Sequence, residues 1–293
     1  MDIFNSKIDT GKASFLMPRV KLDESTHTYY DDDGLAWTSC SAFLHKFKPF
    51  FDRDAISYRM AKKALTEQGI ANPTSTQLFD AQKKILSEWD FKTKRSQDHG
   101  KVIHKALEDY GNSLPVQDLK LRKMAKHIYE TYFSYAHKHF NEQVLWLDDI
   151  NIAGTADKPL FRNNSASPIL DIADYKTNLE KGIEFYSKYG NRMMDPISHL
   201  EDCNYIHYAL QLSIYMYMGE VTFGCKPGRM FIIYISPELK ETIIHVPYLK
   251  REVEALIGYY KNKYISTLDL SKLKPLPVVN ASDDDIDEDS YFD

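Results

Sequence analysis

Residues 169–177, "ILDIADYKT", begin as a buried strand and then depart from one: Asp171, Asp174 and Lys176 stand among Ile169, Leu170, Ile172 and Ala173. An unpaired charge in a core is strongly destabilising, so these groups must be paired or used. Side chains alternate along a strand, which puts Asp174 and Lys176 on one face with Ile172 as a preset pair. Four acid–x–lysine triplets occur in the chain, Asp90/Lys92, Asp118/Lys120, Asp174/Lys176 and Glu238/Lys240, but only Asp174/Lys176 follows an apolar run. Taken alone, it reads equally well as an ion pair at a sheet edge.

A second acid sharpens the reading. Asp157, in "IAGTADKPL", lies on the apolar run before this one, and a hairpin through "RNNSASP" can set it beside Asp174. Two carboxylates held close repel unless a cation lies between them, which is the requirement of a divalent metal site. The ligands are hard oxygens and there is no cysteine cluster, so magnesium or manganese is favoured. A lysine beside such a site can orient or deprotonate a water, or stabilise charge on a phosphate.

The rest of the chain supplies a frame. "THTYYDDDGLAWTS" reads as a hairpin around an Asp/Gly turn. The periodicity then predicts helices over "DAISYRMAKKALTEQG", "STQLFDAQKKILSEWDFKTKRS", "QDHGKVIHKALEDYG" and "DLKLRKMAKHIYETYFSYAHKHF". From about residue 142, "EQVLWLDDINIAGTADKPLFRNNSASPILDIADYKT" alternates as strands. A long helix over "SHLEDCNYIHYALQLSIYMYMGE", strands at "GRMFIIYIS" and "KETIIHVPYL", and a helix over "KREVEALIGYYKNKYI" complete it. This order predicts an α/β or α+β fold with a mixed sheet flanked by helices. Three parts are expected: an N-terminal hairpin and helical region to residue 95, a core over 96–270, and a disordered acidic tail over 271–293.

Cys40, Cys203 and Cys225 form no CxxC pair, which argues against a disulfide framework or an iron–sulfur cluster and fits a reducing cytoplasm. No apolar run is long enough for a membrane span, and the N-terminus has no basic–apolar leader, so a soluble, untargeted protein is expected. The net charge of −5 comes from the tail "DDDIDEDSYFD"; without its seven acids, 37 basic residues face 35 acidic ones. That balance neither announces nor excludes nucleic-acid binding, although "FLHKFKPFFDRD" and "WDFKTKRSQDHGK" mix cations with aromatics as a strand-binding groove would. The tail could dock a protein partner or only solubilise the chain.

Four blocks in order, "HGKVIHKALEDY", "GTAD", "DYKT" and "ALQLSIYMY", resemble the PD-(D/E)XK nuclease superfamily in its RecB-type branch, which includes CRISPR-adaptation, mitochondrial genome-maintenance and phage exonucleases. The resemblance spans about residues 100–215 and implies a restriction-endonuclease-like core. It also implies that His104, Asp157, Asp174 and the backbone carbonyl of Tyr175 bind Mg²⁺ or Mn²⁺, that Lys176 is the catalytic lysine, and that Gln211 and Tyr215 hold the site or the DNA backbone. Gly100 and Thr177 belong to the same blocks, and Glu108, four residues after His104, could support it from the same helix face. The four cysteines of some relatives' iron–sulfur cluster are absent. The expected activity is a deoxyribonuclease, probing single strands or DNA ends as an exonuclease in recombination, repair or phage DNA metabolism and leaving 5′-phosphate and 3′-hydroxyl. An endonuclease and a catalytically silent DNA-binding or assembly protein are the alternatives. No "GxxxxGK[ST]" motif occurs, so unwinding would need a partner.

Overall fold

The computed structural model describes residues 18–163, 166–179 and 181–265; the acidic tail considered above lies outside them. Strands β1 (Val20–Asp23), β2 (Thr28–Asp31) and β3 (Ala36–Ser39) form the expected antiparallel hairpin and one strand more, with Tyr29 opposite Trp37. The Asp31 carboxylate holds the turn by accepting from the backbone N–H of Asp33 and Leu35 and from the Trp37 indole. Helix α1 (Cys40–His45) follows, capped by the Ser39 hydroxyl. In α2 (Arg53–Glu67), Asp52 caps the start and Gly69, at φ +86°, ends the run.

Two helices expected over residues 75–111 are one. Helix α3 (Ser75–Gly111) runs unbroken for 37 residues from a capping box of Thr74 and Gln77 and passes through the 95/96 boundary. The polar stretch "SQDHG" looks like a break, but it holds no proline, and an isolated glycine weakens a helix by only about 1 kcal/mol. At Gly100, α3 also passes close to the end of β8: a Cβ there would lie 3.1 Å from the Thr177 hydroxyl. Helix α4 (Leu119–Ile128) likewise stops short of its expected end, passing into a π-helical turn over Tyr129–Phe133 and the short strand β4 (Lys138–His139).

The remaining elements are β5 (Gln143–Leu147), β6 (Ile152–Ala156), β7 (Lys158–Phe161), β8 (Ile169–Lys176), α5 (Asn204–Val221), β9 (Lys226–Ile235), β10 (Glu241–Val246) and α6 (Lys250–Tyr260). The residues "SHLEDC", expected in α5, precede it, with Cys203 at the cap position. Two five-stranded mixed sheets result, ordered β1-β2-β3-β6-β5 and β10-β9-β8-β7-β4, each with one parallel pair. This is the mixed α+β architecture expected, consistent with a restriction-endonuclease-like fold. β6 and β7 are one chain segment parted at Asp157, where it leaves the first sheet and joins the second.

Alternation along β8 divides the core. Leu170 and Ile172 face α5 and α6, together with Leu210, Ile214 and Leu256, while Ala173 and Tyr175 face α3 and α4, together with Ile103, Leu107 and Ile128. Helix α5 is buried on most sides because both sheets pack on it, which explains its nearly continuous apolar sequence. All three cysteines are buried free thiols. Among the described residues, no helix is long and apolar enough to cross a membrane.

Candidate metal centre

The parting of β6 from β7 is what creates the site. Asp157 belongs to neither ladder, and its carboxylate Oδ2 accepts from the backbone N–H of Tyr175 on β8 at 2.8 Å. Its backbone carbonyl accepts from the N–H of Glu142 at 3.0 Å. Glu142 sits in the left-handed region at φ +47°, uncommon for a residue with a side chain. The register Gln143 opposite Ala156 carries Glu142 to Asp157.

Helix α3 brings His104 onto this pair. Its Nδ1 lies 3.6 Å from Asp157 Oδ2 and 3.8 Å from Glu142 Oε1, and its Nε2 is 3.1 Å from the carbonyl oxygen of Tyr175. Burial disfavours the imidazolium, but the Asp157 and Glu142 carboxylates outweigh it and raise the His104 pKa to about 9. Burial also raises the Asp157 carboxyl, with His104 pulling against it.

One ligand atom from each of His104, Glu142 and Asp157 falls within 4.8 Å of the others. Two carboxylates and an imidazole form a hard, mostly oxygen donor set, which suits magnesium or manganese, while the Tyr175 carbonyl meets the other ring nitrogen of His104. The donors present therefore fit the metal that the motif implies. Asp174 stands beside this triad, on the β8 face that Asp157 adjoins. Its Oδ2 is 2.7 Å from the Lys176 ammonium, a close ion pair. Burial pushes the Asp174 carboxyl up to about 6, against the pull of Lys176.

His104, Glu142 and Lys176 open on a cavity of about 480 Å³ that Tyr208, Gln211 and Tyr215 also line, while Asp157 and Asp174 are not among its lining residues. The Lys176 ammonium lies 4.7 Å from the Tyr208 ring centre. Gln211 donates to the Tyr215 hydroxyl at 3.2 Å, one turn along α5. Gly154 on β6 makes room for that tyrosine: a Cβ there would be 2.7 Å from its ring.

The sequence reading placed Asp157 on a strand; the structure puts it at the switch between two, which frees its carboxylate. Glu108 does not reach His104 as a support, because Lys105 holds it at 3.2 Å. Glu142 occupies that role and was missed. The only sequence signal for it is an acid at the start of an apolar strand, and its significance appears only with the β5–β6 pairing. His199 pairs with Glu252, and His207 pairs with Asp202 at 2.7 Å, so neither joins the triad. On the opposite face of the sheet, Lys158 is fully buried, its Nζ 2.9 Å from the Tyr129 hydroxyl and 2.8 Å from His139 Nδ1, and burial pushes its pKa down to about 6.

Compared with known proteins, the chain matches no family model and no curated protein. Among the solved structures that show a likeness are two. One, named "Putative exonuclease" and from Eubacterium rectale, has 16% identity and a TM-score of 0.33 over 82% of this chain and 83% of its own. The other, SSO0001, has 17% identity and a TM-score of 0.23 over 54% of this chain and 60% of its own. Likenesses at these scores do not establish a shared fold.

Proposed function

We propose that the protein is a metal-dependent deoxyribonuclease of the PD-(D/E)XK type. The observation that carries this reading is the convergence of His104, Glu142 and Asp157 near the Asp174–Lys176 pair, with His104, Glu142 and Lys176 on the wall of one cavity. A structural ion pair needs one acid and one base; here Glu142, His104 and Lys176 line one cavity, and the buried Asp157 and Asp174 lie against His104 and Lys176, which exceeds that need.

His104, Glu142 and Asp157 would hold Mg²⁺ or Mn²⁺, with Asp174 nearby and the Tyr175 carbonyl orienting the His104 ring through its other nitrogen. When bound, such an ion lowers the pKa of water and draws charge from a phosphoryl oxygen. Lys176, held by Asp174, orients the attacking water and faces the charge that develops on the phosphorus centre. Water adds to phosphorus as the bond to the 3′-oxygen breaks, leaving a 5′-phosphate and a 3′-hydroxyl. Gln211 and Tyr215 present an amide and a hydroxyl to the DNA backbone from α5. Exonuclease action on single strands or DNA ends, in a cytoplasmic recombination, repair or phage setting, is the form of the activity we favour.

The test is degradation of end-labelled single-stranded, duplex and circular DNA by wild type and Lys176→Ala with Mg²⁺, Mn²⁺ or EDTA. Metal-dependent cleavage that is lost in the variant is expected, and intact circles would mark end dependence. Binding without cleavage under every metal would replace this reading with a silent DNA-binding protein.

A further inference from the structure

A second, smaller cavity of about 110 Å³ is lined by Lys48, Phe50, Tyr186, Lys188 and Tyr189 at its outer rim and by His207 at its inner end. Its aromatics are unusual for a surface: Phe50 is 89% exposed, Tyr186 78% and Tyr189 66%. Large rings that fully in water, drawn from two chain segments into one cavity, bury nothing for the fold.

The loop that presents the tyrosines is tied down. Glu184 N–H donates to the Asn204 side chain at 2.6 Å, Ser187 N–H to Glu201 at 2.9 Å, and Met194 N–H to the Phe47 carbonyl at 2.7 Å. The rings are thus held out by a fixed scaffold, the condition for binding without a large ordering loss. Residues 181–194, "KGIEFYSKYGNRMM", carry Lys181, Lys188 and Arg192 against one acid, Glu184, and Lys48 adds a further cation across the cavity. Asp202, the other acid on the lining, is taken by His207.

This cavity adjoins the metal centre. His207 on the first turn of α5 lines it, while Tyr208 and Gln211, the next residue and one turn further, line the larger cavity. The two cavities thus meet α5 at neighbouring residues, His207 and Tyr208. Exposed rings interleaved with cations match a nucleic-acid single strand, whose bases offer flat faces and whose phosphates offer charge. A duplex hides its base faces and cannot use the rings.

Resting on the nuclease reading of the neighbouring site, we propose that Phe50, Tyr186 and Tyr189 form a stacking platform that selects a single strand and delivers it to the metal centre. The test is fluorescence anisotropy in EDTA with a labelled oligothymidylate of about 12 nucleotides and a duplex of equal length. Wild type, Tyr186→Ala/Tyr189→Ala and Tyr186→Trp are compared, with circular dichroism as the check on folding. The double variant is expected to lose roughly tenfold or more in single-strand affinity and little in duplex affinity. Quenching of the introduced tryptophan by the oligothymidylate is the second expected signal. Single-strand affinity within about twofold of wild type in the folded double variant would overturn the platform, as would an unquenched Tyr186→Trp. Self-association through this face that competes with the oligonucleotide would also overturn it, in favour of a second copy of the chain. Because EDTA removes any need for turnover, failure here is distinct from failure of Lys176→Ala to abolish cleavage.

Discussion

Gly154 leaves no room for a side chain: an added Cβ would stand 2.7 Å from the Tyr215 ring and 2.9 Å from Cys40 Cβ. Gly154→Ala must therefore move α5 or the β6 backbone, and a loss of about 1–3 kcal/mol in urea unfolding is expected, with the Gln211–Tyr215 contact displaced. Glu142 makes the complementary prediction. If it is a ligand, Glu142→Gln will fold normally and weaken Mn²⁺ binding by roughly tenfold or more in calorimetric titration. An unchanged affinity would remove it from the site. The two residues differ in legibility. "GTAD" stands out as a motif around Asp157, whereas Glu142 carries only the weak mark of an acid before an apolar run, because its relation to Asp157 is a backbone hydrogen bond just beyond the paired ends of β5 and β6.

At the scale of elements, α3 is the piece that sets the metal centre. It carries His104 to the sheet and touches the end of β8 through Gly100 and Thr177. Gly100→Val places a branched side chain where only 3.1 Å is available to the Thr177 hydroxyl, and a branched residue cannot swing aside within a helix. The expected result is a helical protein whose metal affinity and cleavage both fall by about tenfold or more, since ligands must be held to roughly 0.5 Å. Far-ultraviolet circular dichroism unchanged alongside unchanged metal binding would show that α3 does not set the position of His104. The sequence showed both halves of α3 by their apolar period but not their continuity. Period reports which face is buried, and a polar stretch has no period, so "SQDHG" reads as loop or helix alike until its packing is seen.

For the molecule as a whole, the two faces of β8 do different work, and Asp171 tests this. It is fully buried and accepts from both Arg162 and Arg229, from the Arg229 backbone N–H at 2.7 Å and from the Tyr135 hydroxyl at 2.7 Å. Burial would raise its carboxyl, but these donors prevail and hold it below the usual carboxylate range. A pKa lowered in the folded state means that the unfolded chain takes up the proton first on acidification. The stabilisation is therefore complete above about pH 5 and is lost as the pH falls through the unfolded value near 4 to the lower folded one. Asp171→Asn is expected to destabilise by about 2–3 kcal/mol at pH 7, less than a fully buried pair because both arginines keep contact with water. Its unfolding free energy should also fall less steeply than wild type below about pH 5. Equal acid slopes in denaturant titrations would show that Asp171 carries no such linkage. What the sequence determined by itself follows from period and composition: a mixed α+β chain, the strand nature of β8, and the separation of Asp171 from Asp174 and Lys176 by alternation. Only the tertiary structure decided which of those faces opens on a cavity, that Asp157 lies at the switch between two sheets, and that Glu142 and His104 meet it there. Those facts depend on strand register and on where a helix crosses, which are contacts between residues far apart in the chain, and no local pattern encodes them.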